Sequence, residues 1–234
     1  MSVTTAVAQQ GRTRPRVVTS IDRLAGVGGL AFVVTLVVQN ILRANAPSFN
    51  ATPSQVTDYF SHHHTAAIVP LGLFPVGMLA IFVFVAGMWT RASNEESRSW
   101  ASVGALGATA LAGLFAMVNI TEIVLTAKSA QLAPSSSVIQ ALWTMHAAAF
   151  GLDLAAIAVT LIGLSKAAAS SSLLPAWITV LTMLGAACLL IAAVFTVALA
   201  NGGPWLTLGL VGFVVWIAFV VAASVALLRG RQIS

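Results

Sequence analysis

The chain has 234 residues, of which 59% are hydrophobic and only 7% are charged, against about 25% charged residues in an average soluble domain. Its mean hydropathy is +0.96. One core of soluble-domain size cannot bury so much apolar surface behind so few charges, so the composition excludes a soluble globular protein, a disordered chain and a disulfide scaffold, and leaves a polytopic membrane protein.

The N-terminal segment, residues 1–19, is polar and basic, with arginines at Arg12, Arg14 and Arg16. We interpret it as a flexible cytoplasmic tail that precedes a transmembrane domain at 20–234. The formal net charge of +5 and the pI of about 10.7 would suggest nucleic-acid binding in a soluble protein. Because the bases are few and spread along the chain, membrane topology explains them better, and we expect no nucleic-acid partner.

Six apolar runs follow, each long enough for the roughly 20 residues that a helix needs to cross the hydrocarbon core. They lie at residues 24–42, 68–90, 100–126, 138–165, 173–200 and 205–228. Barrel-type alternation is absent, so the sequence predicts an all-α bundle of six transmembrane helices. Pro70 and Pro75 predict a kink or an interruption early in the second span. Gly104, Gly107 and Gly113 predict close helix contact in the third span.

Lysine and arginine are distributed unevenly across this topology. If the N-terminus is inside, nine of the 11 basic residues are cytoplasmic, and only Arg43 and Lys128 are outside. The nine are Arg12, Arg14, Arg16, Arg23, Arg91, Arg98, Lys166, Arg229 and Arg231. The positive-inside rule therefore predicts that both termini are cytoplasmic.

A cleaved signal peptide is the alternative reading of the first span. The first span has the pattern of one, with a basic residue at Arg23, an apolar run after it and small residues at 44–46. Pro47 directly after the expected cut disfavours cleavage, which would leave five spans and an outside N-terminus. Processing of residues 1–46 stays open on the sequence.

The longest loop, residues 43–67, contains the pattern of a short helix. Thr52 can be its N-cap, Pro53 suits the first helical position, and Gln55 completes a capping box. Bundle-facing positions then recur at i, i+3, i+4 and i+7, at Val56, Tyr59, Phe60 and His63. We predict a short amphipathic helix between spans one and two that lies at the outer surface with its apolar face down.

Three ionisable residues lie inside the spans, namely Glu122 in the third and His146 and Asp153 in the fourth. A charged residue at the bilayer centre costs about 2.5–3.5 kcal/mol on insertion scales, so each needs a reason to be there. A rise of about 1.5 Å per residue places Glu122 and His146 near the outer boundary and Asp153 near the midplane. We therefore predict a polar cavity between spans two, three and four that opens outward, with Asp153 as its floor.

These residues define the candidate site. Asp153, His146 and Glu122 are the candidate acid/base groups, and the candidate ligand contacts are Asn119, His63 and Tyr59. Structural roles are the alternative, because Glu122 can pair with Arg43 or Lys128, and Asp153 can hydrogen-bond to neighbouring helices.

Cofactors are not expected. The histidines at 62–64 could ligate zinc with Glu122 and His146, but adjacent helical residues point about 100° apart, so one helix cannot direct all three at one ion. A b-type haem needs two facing axial ligands, and only His146 lies in a span. Cys188 is the single cysteine and lies in an apolar run, so no internal disulfide is possible and we expect an inert buried thiol.

Three segments are similar to a known group of proteins: Asp22-Arg23-Leu24-Ala25-Gly26, the outer-helix stretch at 53–60, and Leu227-Leu228-Arg229-Gly230-Arg231. In these and in its layout, the chain resembles the small six-span actinobacterial membrane proteins grouped as domains of unknown function. The resemblance implies a multi-pass protein of a bacterial plasma membrane. It supplies no catalytic residue.

Three functions remain open on the sequence. The first is a non-enzymatic membrane protein that binds a lipid-like ligand or a membrane-protein partner from the outer leaflet. The second is an enzyme acting on a lipid or isoprenoid, with Asp153 or Glu122 as general acid and His146 as general base. The third is a proton-coupled carrier that uses Asp153 and His146. The low aromatic content, 8%, argues against an enzyme that stabilises carbocations on ring faces.

Overall fold

The computed structural model describes residues 19–230. The predicted basic tail lies outside these residues except for Thr19, and so do Arg12, Arg14, Arg16 and Arg231. The described part contains eight helices: α1 (Ser20–Leu42), α2 (Pro53–His62), α3 (His64–Arg91), α4 (Glu95–Leu132), α5 (Ser136–Ser170), α6 (Ala176–Val194), α7 (Thr196–Ala200) and α8 (Trp205–Arg229). No strand occurs within this range. Six helices are long and apolar enough to cross a membrane, which confirms the predicted all-α six-span bundle.

Three predicted spans differ clearly from their limits in the structure. The third and fourth extend beyond their apolar runs, because the polar ends of α4 and α5 continue the helices at both sides; the Asn94 side chain caps α4 by accepting from the Ser97 amide. The fifth is divided. α6 ends at Val194 and the short α7 begins at Thr196, whose hydroxyl donates to the Ala193 carbonyl and so competes with the backbone ladder at the break.

The second span is continuous. α3 contains both Pro70 and Pro75 without a break in the helix, so the predicted interruption is absent. The Gln39 side chain of α1 donates from Nε2 to the Pro70 carbonyl over 3.0 Å. A buried hydrogen bond therefore links α1 to the proline-containing part of α3.

The six long helices form a closed ring. Going round it, α1 packs on α3, α3 on α4, α4 on α5, α5 on α6, α6 on α8, and α8 on α1. α5 also contacts α3 and α8 across the ring. The bundle has two ends, which we name by the segments found there. The terminal end carries residues 19–23, 91–95 and 170–175 and Gly230, and the loop end carries residues 43–63, 133–135 and 195–204.

The terminal end is held by close packing between α4 and α5. A Cβ on Gly107 would lie 2.5 Å from the backbone nitrogen of Thr160, and one on Gly163 would collide with the backbone of Gly104. Only glycine permits so close an approach of two helices. The predicted contact is therefore present at Gly104 and Gly107, whereas Gly113 faces open space.

A buried ion pair joins α1 and α3 at this end. Arg91 Nε donates to Asp22 Oδ1 over 2.5 Å, and the other oxygen of Asp22 accepts from the backbone nitrogen of Thr19 in a capping box. Arg91 is 6% exposed and Asp22 is 3% exposed. The sequence indicates only a topological role for Arg91 and does not predict this ion pair.

The short helix α2 forms as predicted, with Thr52 as N-cap, Gln55 in the capping box and Pro53 in the first turn. Its apolar side, however, is buried in protein. Val56, Tyr59 and Phe60 pack with Leu125 of α4 and with Ile139 and Trp143 of α5. α2 thus covers the loop end of the bundle, where the long ends of α4 and α5 offer it an apolar surface.

Candidate functional site

A cavity of about 400 Å³ lies within the bundle at the loop end. Its walls come from α1, α3, α4, α5 and α8, and Tyr59 and Phe60 of α2 and residues 46–50 and 202–203 line it as well. The sequence predicted a cavity between spans two, three and four only. The contributions of spans one and six and of the two loops were not foreseen, because apolar runs do not reveal which helices are neighbours.

An ion pair forms one wall. Arg43 Nη2 lies 2.6 Å from Glu122 Oε2, and Arg43 Nε lies 3.1 Å from each carboxylate oxygen. Arg43 Nη2 also donates to Asn119 Oδ1 over 3.4 Å. Of the two partners that the sequence allowed for Glu122, the structure therefore selects Arg43 over Lys128. The two charges of this wall balance one another.

His146 lies beside the ion pair. Its Nδ1 is 3.9 Å from Glu122 Oε1 and 3.5 Å from the hydroxyl of Thr121. Its ring stacks on Trp143 with 4.4 Å between the ring centroids. Trp143 in turn donates from Nε1 to the Ser48 carbonyl over 3.0 Å, which fixes the loop after α1 over the cavity.

Asp153 lies deeper in the same cavity, seven residues and about 10 Å further along α5 than His146. It is 4% exposed. Its Oδ1 is buried and has no hydrogen-bond partner among residues 19–230. His146 faces Glu122, so the acid/base pair of Asp153 and His146 is not assembled.

Unpartnered polar atoms concentrate around this cavity. Within the described residues, five buried side-chain atoms have no hydrogen-bond partner, and three of them belong to residues that line the cavity: the hydroxyl of Tyr59, Oδ1 of Asp153 and Nε1 of Trp216. The other two, on Arg91 and Ser224, do not line it. An unpartnered buried polar group costs about 1–3 kcal/mol, and within the described residues the protein leaves most such groups around this cavity.

Aromatic side chains converge on the same space. The chain has 11 phenylalanines, six tryptophans and one tyrosine, and ten of these 18 residues line the cavity: seven phenylalanines, Trp143, Trp216 and Tyr59. A low overall aromatic content therefore says little about this site, because the fold gathers more than half of the rings into it.

The predicted ligand contacts have different positions in the structure. Tyr59 lines the cavity, and burial raises the pKa of its phenol, because burial disfavours the charged form. Asn119 is buried behind the ion pair, where it donates to the Phe115 carbonyl, and does not line the cavity. His63 is the C-cap of α2, directly after its last residue, His62. Its ring stacks on Tyr59 with 4.9 Å between the ring centroids, but it is exposed and does not line the cavity.

Sequence reasoning missed several lining residues. Gln39 and Asn40 lie near the end of α1, Arg43 follows it, and Trp216 lies in the middle of α8. The two amides interrupt an apolar run, which was a usable signal. No group of three or more His, Cys, Asp or Glu side chains in the described part of the chain is placed to hold a metal ion.

Comparison of the chain with models of protein families, with curated proteins and with solved structures finds no match. The cavity is therefore interpreted from the residues of this chain alone.

Proposed function

We propose that this integral membrane protein binds an amphipathic, lipid-like small molecule in the cavity at the loop end of its bundle. The supporting observation is the coincidence in one cavity of three unpartnered buried polar atoms, on Tyr59, Asp153 and Trp216, with ten aromatic side chains. Ligand sites are concave and mainly apolar, with a few placed polar groups and volumes of roughly 300–1,000 Å³. The cavity of about 400 Å³ has this character.

Binding also explains why polar atoms without a protein partner line the cavity. A ligand that hydrogen-bonds to Asp153 or Trp216 supplies the partner that the protein does not. An acid/base reaction receives less support, because Glu122 is held by Arg43 and no nitrogen of His146 reaches Asp153.

We further propose that the loop end faces the exterior of a bacterial plasma membrane and that both termini are cytoplasmic. The support is the excess of lysine and arginine on the terminal side, nine residues of 11, together with the resemblance to six-span actinobacterial membrane proteins. Reporter fusions test it. Alkaline phosphatase inserted after Asn50 is expected to be active, and one fused after Gly230 inactive; the reverse pattern contradicts this orientation.

The experiment for the binding proposal is native mass spectrometry of the protein released from its own membranes, with measurement of any molecule that leaves on activation. Leu36 lines the cavity and is 8% exposed, whereas Leu24 on the same helix is 59% exposed and does not line it. Leu36→Trp fills the cavity, and Leu24→Trp is the matched control.

We expect a bound molecule in the wild-type protein and in Leu24→Trp, and its loss from Leu36→Trp. A wild-type protein with no bound molecule, after release from native membranes, contradicts the proposal. So does a molecule that remains equally bound when Leu36 is replaced.

A further inference from the structure

We infer that the ligand is a lipophilic organic cation, an amine or a quaternary ammonium or phosphonium compound, whose charge lies against Asp153. This inference rests on the proposed binding function and specifies the chemical class of the ligand.

The charges around the cavity point to a cation. The side chains that line it and can carry charge are Arg43, Glu122, His146, Asp153 and Tyr59. Arg43 and Glu122 neutralise one another across 2.6 Å, and His146 lies against that pair. Asp153 is the lining carboxyl group for which the described residues provide no cation and no hydrogen-bond donor to Oδ1. A cationic ligand would complete this site, because it would supply the counter-charge that a buried carboxylate needs.

The aromatic residues strengthen the same conclusion. Phe150 lies one turn before Asp153 on α5 and shares its face. A Cβ on Gly209 would lie 3.0 Å from Leu154 Cδ1, so this part of α8 packs on the residue next to Asp153 in α5, and Phe213 follows one turn later. Phe150 and Phe213 both line the cavity. Ring faces attract organic cations, and the attraction is strongest where water is excluded.

The geometry also favours a lipophilic cation over a metal ion. Asp153 is one carboxyl group in an apolar, aromatic wall, and hard metal cations need several oxygen ligands. An organic cation instead spreads its charge over apolar groups that the aromatic wall accepts.

Equilibrium dialysis of tritiated tetraphenylphosphonium tests the inference, with the full chain in phosphatidylcholine nanodiscs and empty nanodiscs as background. The variants are Asp153→Asn, which keeps the shape of the side chain, and Asp58→Asn as matched control. Asp58 lies on α2 with 74% of its side chain exposed and does not line the cavity.

We expect saturable binding to the wild-type protein, binding weakened at least tenfold in Asp153→Asn, and affinity within twofold of wild type in Asp58→Asn. A second measurement needs no variant. Triphenylphosphine oxide shares three phenyl groups with the probe but has no charge, so a tenfold excess of it is expected not to displace the phosphonium from wild type.

The inference is overturned if wild type shows no saturable binding, if Asp153→Asn binds as tightly as wild type, or if the neutral oxide displaces the probe as well as unlabelled phosphonium does. These results are separable from failure of the proposed function. If a native molecule is lost in Leu36→Trp but the wild-type protein does not bind the phosphonium, the inference of a cationic ligand is wrong and the proposed binding function stands.

Discussion

Each end of the bundle contains an ion pair between an arginine and a carboxylate, but the two pairs have different surroundings. At the terminal end, the side chains of Asp22 and Arg91 are 4% and 7% exposed, and the adjoining helices are in close contact. At the loop end, the Arg43 side chain keeps 18% of its surface exposed and the Glu122 side chain 8%, and the pair borders a cavity. One pair joins two helices, whereas the other helps to line a cavity.

The neighbouring residues explain this difference. Beside the terminal ion pair, Gly87 lets α3 pack directly against Ala25 of α1, where a Cβ on Gly87 would collide with the Ala25 side chain. At the loop end, the rings of Phe115, Phe150 and others line a cavity beside the ion pair. An intramembrane ion pair therefore does not by itself indicate a ligand site. The packing around the pair decides whether a ligand has space.

The largest expected effect comes from breaking the terminal ion pair. Asp22→Asn leaves Arg91 buried without its counter-charge, which costs about 3–5 kcal/mol in the free energy of unfolding. Glu122→Gln leaves Arg43 beside the cavity with more of its surface exposed, and we expect a smaller loss of about 1.5–3 kcal/mol, as for a hydrogen bond to a charged group. Thermal unfolding of both variants in one detergent measures the contrast.

A double variant provides the control for this comparison. Asp22→Asn combined with Arg91→Gln removes both charges and is expected to recover part of the lost stability. Equal losses in Asp22→Asn and Glu122→Gln would show that the two ends are energetically alike.

The second expected effect concerns the glycine contact near the terminal end. Gly107→Leu drives a side chain into the backbone of Thr160, and we expect a loss of about 3 kcal/mol, at the upper end for overpacking. A Cβ on Gly113 of the same helix would meet no atom within 4 Å, so Gly113→Leu is the matched control and is expected to unfold like wild type. Size-exclusion chromatography after heating distinguishes the two, and equal unfolding temperatures would contradict the packing assignment.

A smaller effect is expected at Gln39. Gln39→Leu removes the buried hydrogen bond to the Pro70 carbonyl and costs about 1–2 kcal/mol, because that carbonyl then lacks this donor. Asn40, whose side chain bonds only to the Leu36 carbonyl of its own helix, provides the control variant Asn40→Leu, for which we expect a smaller loss. The same thermal assay measures both variants. A greater loss of stability in Asn40→Leu would contradict a stabilising role for the hydrogen bond from Gln39 to Pro70.

The smallest expected effect is at the loop over the cavity. Trp143→Phe removes the bond from Nε1 to the Ser48 carbonyl and costs about 0.5–1 kcal/mol, since water reaches Ser48, which is exposed. Hydrogen exchange of residues 44–51 is expected to accelerate while exchange in α8 is unchanged. Unchanged exchange in the loop would show that Trp143 does not hold it.

The sequence predicted those features that depend on local patterns. Hydropathy over 20 residues predicted six helices, and a capping box predicted α2 at Thr52, Pro53 and Gln55. It predicted that Glu122 has two possible partners in Arg43 and Lys128, but not which one, because that choice depends on the spatial relation of α1 and α4. The role of Asp22 was equally hidden, since its partner Arg91 is 69 residues away.

The candidate site was predicted only in part for the same reason. Asp153 and His146 were conspicuous as titratable residues in an apolar run, and both line the cavity. Trp216 and the phenylalanines were not conspicuous, because an aromatic residue in a membrane helix resembles its apolar neighbours until the fold shows what it faces. His63 keeps its helical spacing to Tyr59 and stacks on it, but it caps the exposed end of α2 and does not line the cavity.

The rates at which a reagent modifies thiols at the two ends test whether the loop end contains an accessible cavity and the terminal end is closely packed. In a Cys188→Ala background, Thr35→Cys places a thiol in the cavity wall, and Ser224→Cys places one in the sealed contact of α1 with α8, where Gly26 and Gly29 adjoin Ser224. Both native side chains are buried, at 8% and 0% exposure. We expect methyl methanethiosulfonate to modify Thr35→Cys rapidly and Ser224→Cys only on unfolding, as read by intact mass. Equal rates at the two thiols, or a resistant thiol at position 35, would contradict an accessible cavity at the loop end.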